Sequence, residues 1–245
     1  MYKSKNISLQ GLRGVACAFV LLSHCYGNLH INNEYVVSIF SDLGRLGVCI
    51  FFCLSGALCG WKNTEFEENS WKSSMNYMLK KVKQIYLMYI IADVLMFILK
   101  FNTYVIPEWQ TEKVNLTVKI IAHIFLLQSY IPKLGVAYSF NGPAWYLSSC
   151  LLLWLLTPTI KRKINECNKK QLWSISLIIF TFQLMYLGSV FMLGVAEQRY
   201  FMYVFPVANL FIYTEAMVLA TMVKKYYSYN NSDDKTTMVI RIWGG

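Results

Sequence analysis

The sequence predicts an all-α fold, a polytopic transmembrane helix bundle of six or seven spans with an additional interfacial helix. Three observations lead there. Of 245 residues, 56% are hydrophobic and only 15% are charged, against about 45–50% and about 25% in soluble domains. Mean hydropathy is +0.39. The apolar residues come in runs of the length a bilayer crossing needs, about 20 residues, and the cations fall in short clusters between those runs. A soluble domain of this length leaves too much of its chain at the surface to hide so much apolar area.

The elements follow in order. Residues 12–29 supply a first span. Lys3 and Lys5 ahead of it give it the outline of a secretory signal, but Arg13 interrupts the run and further long apolar segments follow, so a retained span is expected. Residues 46–61 supply the second, and 84–99 the third, interrupted by Asp93. Residues 115–131 are apolar but carry Lys119 and His123. Residues 134–160 and 171–196 contain no charge, and 200–223 is interrupted only by Glu215.

Orientation follows from where the cations sit. The clusters are Lys3/Lys5, then Lys62 to Lys83, then Lys161 to Lys170, then Lys224/Lys225. Keeping all of them on the cytoplasmic side requires an even number of crossings between neighbours. Three apolar segments lie between Lys83 and Lys161, so one of them does not cross. Residues 115–131 are the weakest of the three, because charge at mid-bilayer is expensive. They are expected at the outer interface or re-entrant, which leaves six crossings with both ends cytoplasmic. Residues 1–225 then form one membrane-embedded domain. Residues 226–245 form a polar tail whose ending, Met238 to Gly245, has the composition of the start of a further span.

A formal charge of +10 raises the question of nucleic acid. The clustering between apolar runs answers it in favour of anionic headgroups, and no base-reading motif accompanies the charge. Seven cysteines, an odd number with no metal-ligand spacing, read as small hydrophobes rather than a disulfide framework or a metal site.

Four stretches hold residues that can carry chemistry. Arg13 and His24 stand eleven positions apart, which on a helix leaves a net rotation of about 20° and a rise of roughly 16 Å. They share one face, and ionisable residues inside a membrane mark function by default. The alternative is a snorkelling Arg13 and a His24 bonded within the bundle. Ser55 and Gly56 lie within a span, where a small-residue step lets helices approach closely. Lys80, Lys81 and Lys83 directly precede the third span, as a topology anchor or as a grip on a phosphorylated ligand. Gly142-Pro143 ends one element and pre-sets the next, with Trp145 and Tyr146 as interfacial anchors and Ser148 beyond them. Asp93 and Glu215 are lone carboxylates that either pair with His24 or Arg45 or line a polar cavity. His30 and His123 look interfacial and receive no role.

Taken together these stretches resemble the acyltransferase 3 family of bacterial integral-membrane acyltransferases. The resemblance rests on Leu9-Gln10-Gly11-Leu12-Arg13-Gly14 with His24, on Val48 to Gly56, on Lys83-Gln84-Ile85-Tyr86 and on Gly142-Pro143-Ala144-Trp145-Tyr146-Leu147-Ser148. It covers residues 7–158 well. Such membership implies transfer of an acetyl or related acyl group from acyl-CoA, the cosubstrate, to a hydroxyl of a surface polysaccharide or related glycan. The family's arginine-then-histidine pattern falls on Arg13 and His24, its basic pattern on Lys80 and Lys83, and its serine-glycine step on Ser55 and Gly56. Several residues depart from the pattern. Lysines stand where arginines are frequent, Leu87 replaces a proline, and Cys150 occupies a position that is acidic in some members. Family chains also continue further, so the resemblance implies, as one expectation, a C-terminally truncated member.

The expected chemistry follows. His24 deprotonates the acceptor hydroxyl, because histidine titrates closest to neutral pH; a covalent acyl-His24 is the variant. Arg13, Lys80 and Lys83, with Tyr86 nearby, hold the donor's phosphates and pantetheine, while Ser55, Gly56, Trp145 and Ser148 shape the site. The expected partners are acyl-CoA, a carbohydrate acceptor and the lipid bilayer of a bacterial plasma membrane. The alternatives are a carrier or flippase for a polysaccharide precursor, for which the two related halves common in carriers are not seen, and an inactive truncated family member.

Overall fold

A computed structural model describes residues 7–26, 33–64, 66, 71–192, 194 and 197–230. It is helical throughout, with no strand among the described residues. The α-helices are α1 (Ile7–Tyr26), α2 (Glu34–Trp61), α3 (Trp71–Leu99), α4 (Ile106–Thr111), α5 (Lys113–Ile124), α6 (Leu134–Ala137), α7 (Trp145–Glu166), α8 (Lys169–Met192) and α9 (Pro206–Asn230). Two π-helical turns, Phe101–Val105 and Tyr200–Val204, join neighbours in this series.

Five helical stretches are long and apolar enough to cross a membrane: Tyr35–Trp61, Trp71–Leu99, Gly142–Glu166, Lys169–Met192 and Tyr200–Tyr226. The apolar part of α1, Leu9–Cys25, is shorter, and the end of the span expected at 12–29 lies outside the described residues, as does His30. α2 and α3 start well before the apolar runs that predict them. Asn33 caps α2, its side-chain oxygen accepting from the Tyr35 and Val36 amides at 3.1 and 3.3 Å, and this fixes the start at residue 34. α3 absorbs Lys72 to Lys83, since lysine is a good helix former. The basic residues expected in a loop before the span are therefore inside the helix.

The chain divides into two compact units. The first comprises Met1–Glu65, Lys161–Phe182 and Phe211–Gly245; the second comprises Phe66–Ile160 and Gln183–Leu210. In the first, α1 lies on α2. A Cβ at Gly47 would stand 2.7 Å from the Ala16 carbonyl oxygen and 2.9 Å from the Val20 side chain, and one at Gly44 would strike Ser23. α2 meets α9 through Gly56 and Gly60, where a Cβ would collide with the Tyr213 and Met217 carbonyl oxygens. This is a small-residue contact at i, i+4 of the kind that packs membrane helices. The Gly60 carbonyl, among the last of α2 and without a partner inside that helix, accepts from Lys161 Nζ at 2.6 Å and Thr221 Oγ1 at 3.3 Å. Glu215, the lone carboxylate of α9, accepts from Ser176 of α8.

The core of the second unit has two clusters. Tyr89, Leu126 and Ala144 pack with Tyr86, Ile90 and Leu147. Val105, Leu116 and Phe140 pack with Phe97, Tyr104 and Ile120. The uncharged run 134–160 is not one helix. It forms the single turn α6, a bend over residues 138–141, a short 3₁₀ turn at Gly142–Ala144, and then α7. Pro143 explains the restart, because proline suits the first turn of a helix and disfavours helix before it. At twelve residues, or about 18 Å, α5 is shorter than the roughly 30 Å hydrocarbon core.

Candidate functional site

Arg13 and His24 both lie on α1 and both are exposed. Ala16, between them, is at 0% exposure against α2. In the same unit Ser55 is exposed, while Gly56 is buried on the Tyr213 backbone. Gly56 thus answers a packing need that the geometry alone accounts for.

The remaining expected site residues belong to the second unit. Lys80 and Lys83 are brought together: with Asn76, Leu79 and Gln84 they line an open cleft of about 500 Å³ on α3. Their i, i+3 spacing places both ammonium groups on one helix face. Tyr86, one turn on, donates its hydroxyl to the Ile124 carbonyl at 2.9 Å. Trp145 is buried and packs on Tyr203 with ring centroids 4.7 Å apart, so it is a core residue and not an outward-facing anchor. Ser148 is fully buried and binds Ser129, whose amide and hydroxyl approach its Oγ at 3.0 and 2.7 Å. Tyr200 donates to the Ser129 carbonyl at 2.6 Å. These bonds tie the start of α7 to the turn at Gln128–Tyr130.

A second polar constellation in this unit was not expected from the sequence. His123 is buried at 2% exposure, where an interfacial residue was expected. Its Nδ1 lies 3.1 and 3.0 Å from the two carboxylate oxygens of Asp93, and its Nε2 lies 2.9 Å from Ser139 Oγ. Asp93 therefore pairs with His123 rather than with His24 or Arg45, and Arg45 pairs with Asp42. Ser139 Oγ also donates to the Val136 carbonyl at 2.7 Å. Tyr89 donates to the His123 carbonyl at 2.6 Å, and the Phe140 ring stands edge-on to the imidazole at 5.2 Å. Phe140 has φ +38°, a conformation that non-glycine residues rarely adopt.

One turn earlier on α5, Lys119 is buried at 5% exposure, bonded to Glu108 and, at 2.7 Å, to the Tyr104 hydroxyl. Burial alone would push this ammonium down, but the Glu108 and Tyr104 hydrogen bonds outweigh it and hold the group above the ordinary lysine value. Burial also pushes the Tyr130 phenol up to about 12. Lys119 and His123 are spaced i, i+4 and so share one face of α5. That spacing, with Asp93 and Glu108 as the matching carboxylates, was the signal in the sequence. Beside α5 lies an open cleft of about 660 Å³, lined among others by Lys113, Asn115, Lys133 and Val136.

The sequence profile of the acyltransferase 3 family, described as an acyltransferase domain, matches residues 6–241. Acyltransferase MdmB of Streptomyces mycarofaciens is 22% identical over 169 residues, a stretch covering 68% of this chain and 42% of that protein. The match thus spans less than half the length of that relative. No solved structure matches.

Proposed function

The chain belongs to the acyltransferase 3 family, and on that premise we propose that it is a membrane-embedded acyltransferase. In this reading it moves an acetyl or similar acyl group from acyl-CoA to a hydroxyl of a surface polysaccharide or related glycan. The observation that carries the reading is the presence of Arg13 and His24 together on the exposed side of one continuous helix, α1.

The chemistry uses the chain's own residues. His24 takes the proton from the acceptor hydroxyl as its oxygen attacks the thioester carbonyl, and returns it to the departing CoA thiolate. Arg13 lies roughly 16 Å along the helix from His24, a reach that suits a long, thin donor. Lys80 and Lys83, side by side in their cleft, supply charge for the donor's phosphates, and the Tyr86 ring follows on the same face of α3. Ser55, Gly56, Trp145 and Ser148 complete the set of proposed site residues. Gly56, Trp145 and Ser148 act through packing and hydrogen bonds that hold their own helices in place. In the bacterial plasma membrane the chain crosses six times with both ends cytoplasmic, α1 contributing the first crossing and α5 staying at the outer face. That puts the Lys80/Lys83 cleft on the cytosolic side, where acyl-CoA is found.

The test uses purified protein in detergent with radiolabelled acetyl-CoA and a mixed glycan acceptor. Label transfer that is lost in His24→Ala supports the reading and locates its base. Equal transfer by both proteins removes His24 from the mechanism, and no binding of acetyl-CoA overturns the donor assignment.

A further inference from the structure

The second unit contains a buried Asp–His–Ser arrangement that the proposed transfer does not use. Asp93 is on α3, His123 on α5, and Ser139 in the bend before α7, so three separate segments converge on one imidazole. Each link has the distance that nucleophilic serine catalysis requires, a base within hydrogen-bond reach of the hydroxyl and a third group orienting the base. The three side chains are 7%, 2% and 5% exposed. We propose that Asp93, His123 and Ser139 form a second acyl-handling centre, with Ser139 as nucleophile toward activated carboxylic esters and thioesters.

Several features favour a reactive centre over a plain structural hydrogen bond. The Ser139 hydroxyl has one proton and two acceptors within reach, His123 Nε2 at 2.9 Å and the Val136 carbonyl at 2.7 Å. In the resting arrangement the serine proton bonds the Val136 carbonyl; with the imidazole proton on Nδ1, toward Asp93, Nε2 is placed to accept the serine proton once the hydroxyl turns to it. By contrast, the buried pair Ser129 and Ser148 bind one another. The residue after Ser139 is held at positive φ, and such backbone strain concentrates at functional sites. Gln128, fully buried, lies near the Tyr89 hydroxyl that binds the His123 carbonyl. Val136, whose carbonyl accepts the Ser139 bond, also lines the 660 Å³ cleft, and in this proposal substrate approaches from that side.

The step balances without any added oxidant or metal. Ser139 Oγ attacks the ester or thioester carbonyl carbon as His123 Nε2 takes its proton. The C–O or C–S bond then breaks, and His123 returns that proton to the leaving alkoxide or thiolate, giving Ser139 as an ester. A second hydroxyl, from water or an alcohol, attacks that ester through His123, and the serine is restored. Ser139 and His123 are the catalytic residues. Asp93 is a positioning residue, which fixes the imidazole tautomer.

The experiment treats the intact protein in detergent with an alkyl fluorophosphonate, which phosphonylates activated serines without acyl-CoA, and maps the adduct by peptide mass spectrometry. The expected result is an adduct on Ser139. It disappears in Ser139→Ala, slows at least about a hundredfold in His123→Ala and Asp93→Asn, the change that sets the wrong tautomer in serine triads, and is partly restored in Asp93→Glu. Val136→Ala, which thins the wall of the cleft, speeds labelling. An unmodified Ser139 in the native protein overturns the proposal whatever the variants do, and so does an adduct that forms at an unchanged rate without His123. Because the probe needs no CoA, failure here leaves the His24 reading standing, and failure of acetyl-CoA transfer leaves this centre standing.

Discussion

Gly56 of α2 rests directly on the backbone of Tyr213 in α9, so close that a β-carbon at residue 56 would overlap the Tyr213 carbonyl oxygen. The obstacle is backbone, which cannot rotate away as a side-chain tip can. Gly56→Ala is expected to separate α2 from α9 at a cost of about 1–3 kcal/mol, the usual range for overpacking. Gly11 is the control, having nothing within 4 Å of the corresponding position. Gly11→Ala gains helix propensity of up to about 1 kcal/mol. Thermal unfolding of both variants in the same detergent checks the pair, and equal shifts would refute the close contact.

The Lys119–Glu108 pair joins a buried ammonium to a largely buried carboxylate, with side chains 7% and 12% exposed. Removing one partner leaves the other charge uncompensated, so Glu108→Gln or Lys119→Met alone is expected to cost about 3–5 kcal/mol, while the double substitution costs much less. A double-mutant cycle measures the difference. Independent losses in the two single variants that simply add would disprove the pairing.

The same pair sets a pH limit. Lys119 is held above the ordinary lysine value, so its folded form binds the proton more tightly than the unfolded chain does. That stabilisation is fully present below about pH 10.4, the unperturbed value, and is lost as pH rises through the folded value. Tyr130, held neutral up to about 12, acts in the same sense, since its contribution fades from about pH 10 upward. Unfolding temperatures of the native protein and Lys119→Met are expected to converge above about pH 11. A gap that stays constant over that range would assign the stabilisation to packing.

Lys80 and Lys83 face one cleft on α3 and meet phosphate as point charges. Replacing either with alanine is expected to weaken acetyl-CoA binding roughly three- to tenfold and to flatten its dependence on salt. Arginine at both positions is expected to tighten binding, because its planar fork binds phosphate through two parallel bonds. Calorimetric titration at two ionic strengths checks both expectations. Alanine variants that bind as well as the native protein would send the donor's phosphates elsewhere.

The long helices were legible because hydropathy is a local property, written in consecutive residues. The helical course of α8 follows from an uninterrupted apolar run, and that of α9 from a run broken only by Glu215. The starts of α2 and α3 were not legible in this way, since Asn33 capping and a lysine-rich first half extend helix without raising hydropathy. The break at residues 138–141 hid inside an uncharged run, although Gly142-Pro143 marked where helix resumes. The Asp93–His123 contact joins residues 30 positions apart, and no local pattern specifies which of several isolated ionisable residues will meet. Lys119 and His123 drew notice only as interruptions of an apolar run. Their common face on α5 was the clue to their being buried.

One carbonyl oxygen also sets a schedule for biosynthesis. Gly60 closes α2, yet the donors that satisfy its oxygen lie 101 and 161 residues further along the chain, on Lys161 and Thr221. While a ribosome is still short of them, α2 is in place with a polar end that nothing in the nascent chain can cover. Until α7 and α9 arrive, that oxygen is left to water at the end of the helix. The end of α2 therefore gains its protein partners only when the later helices of this unit have been made.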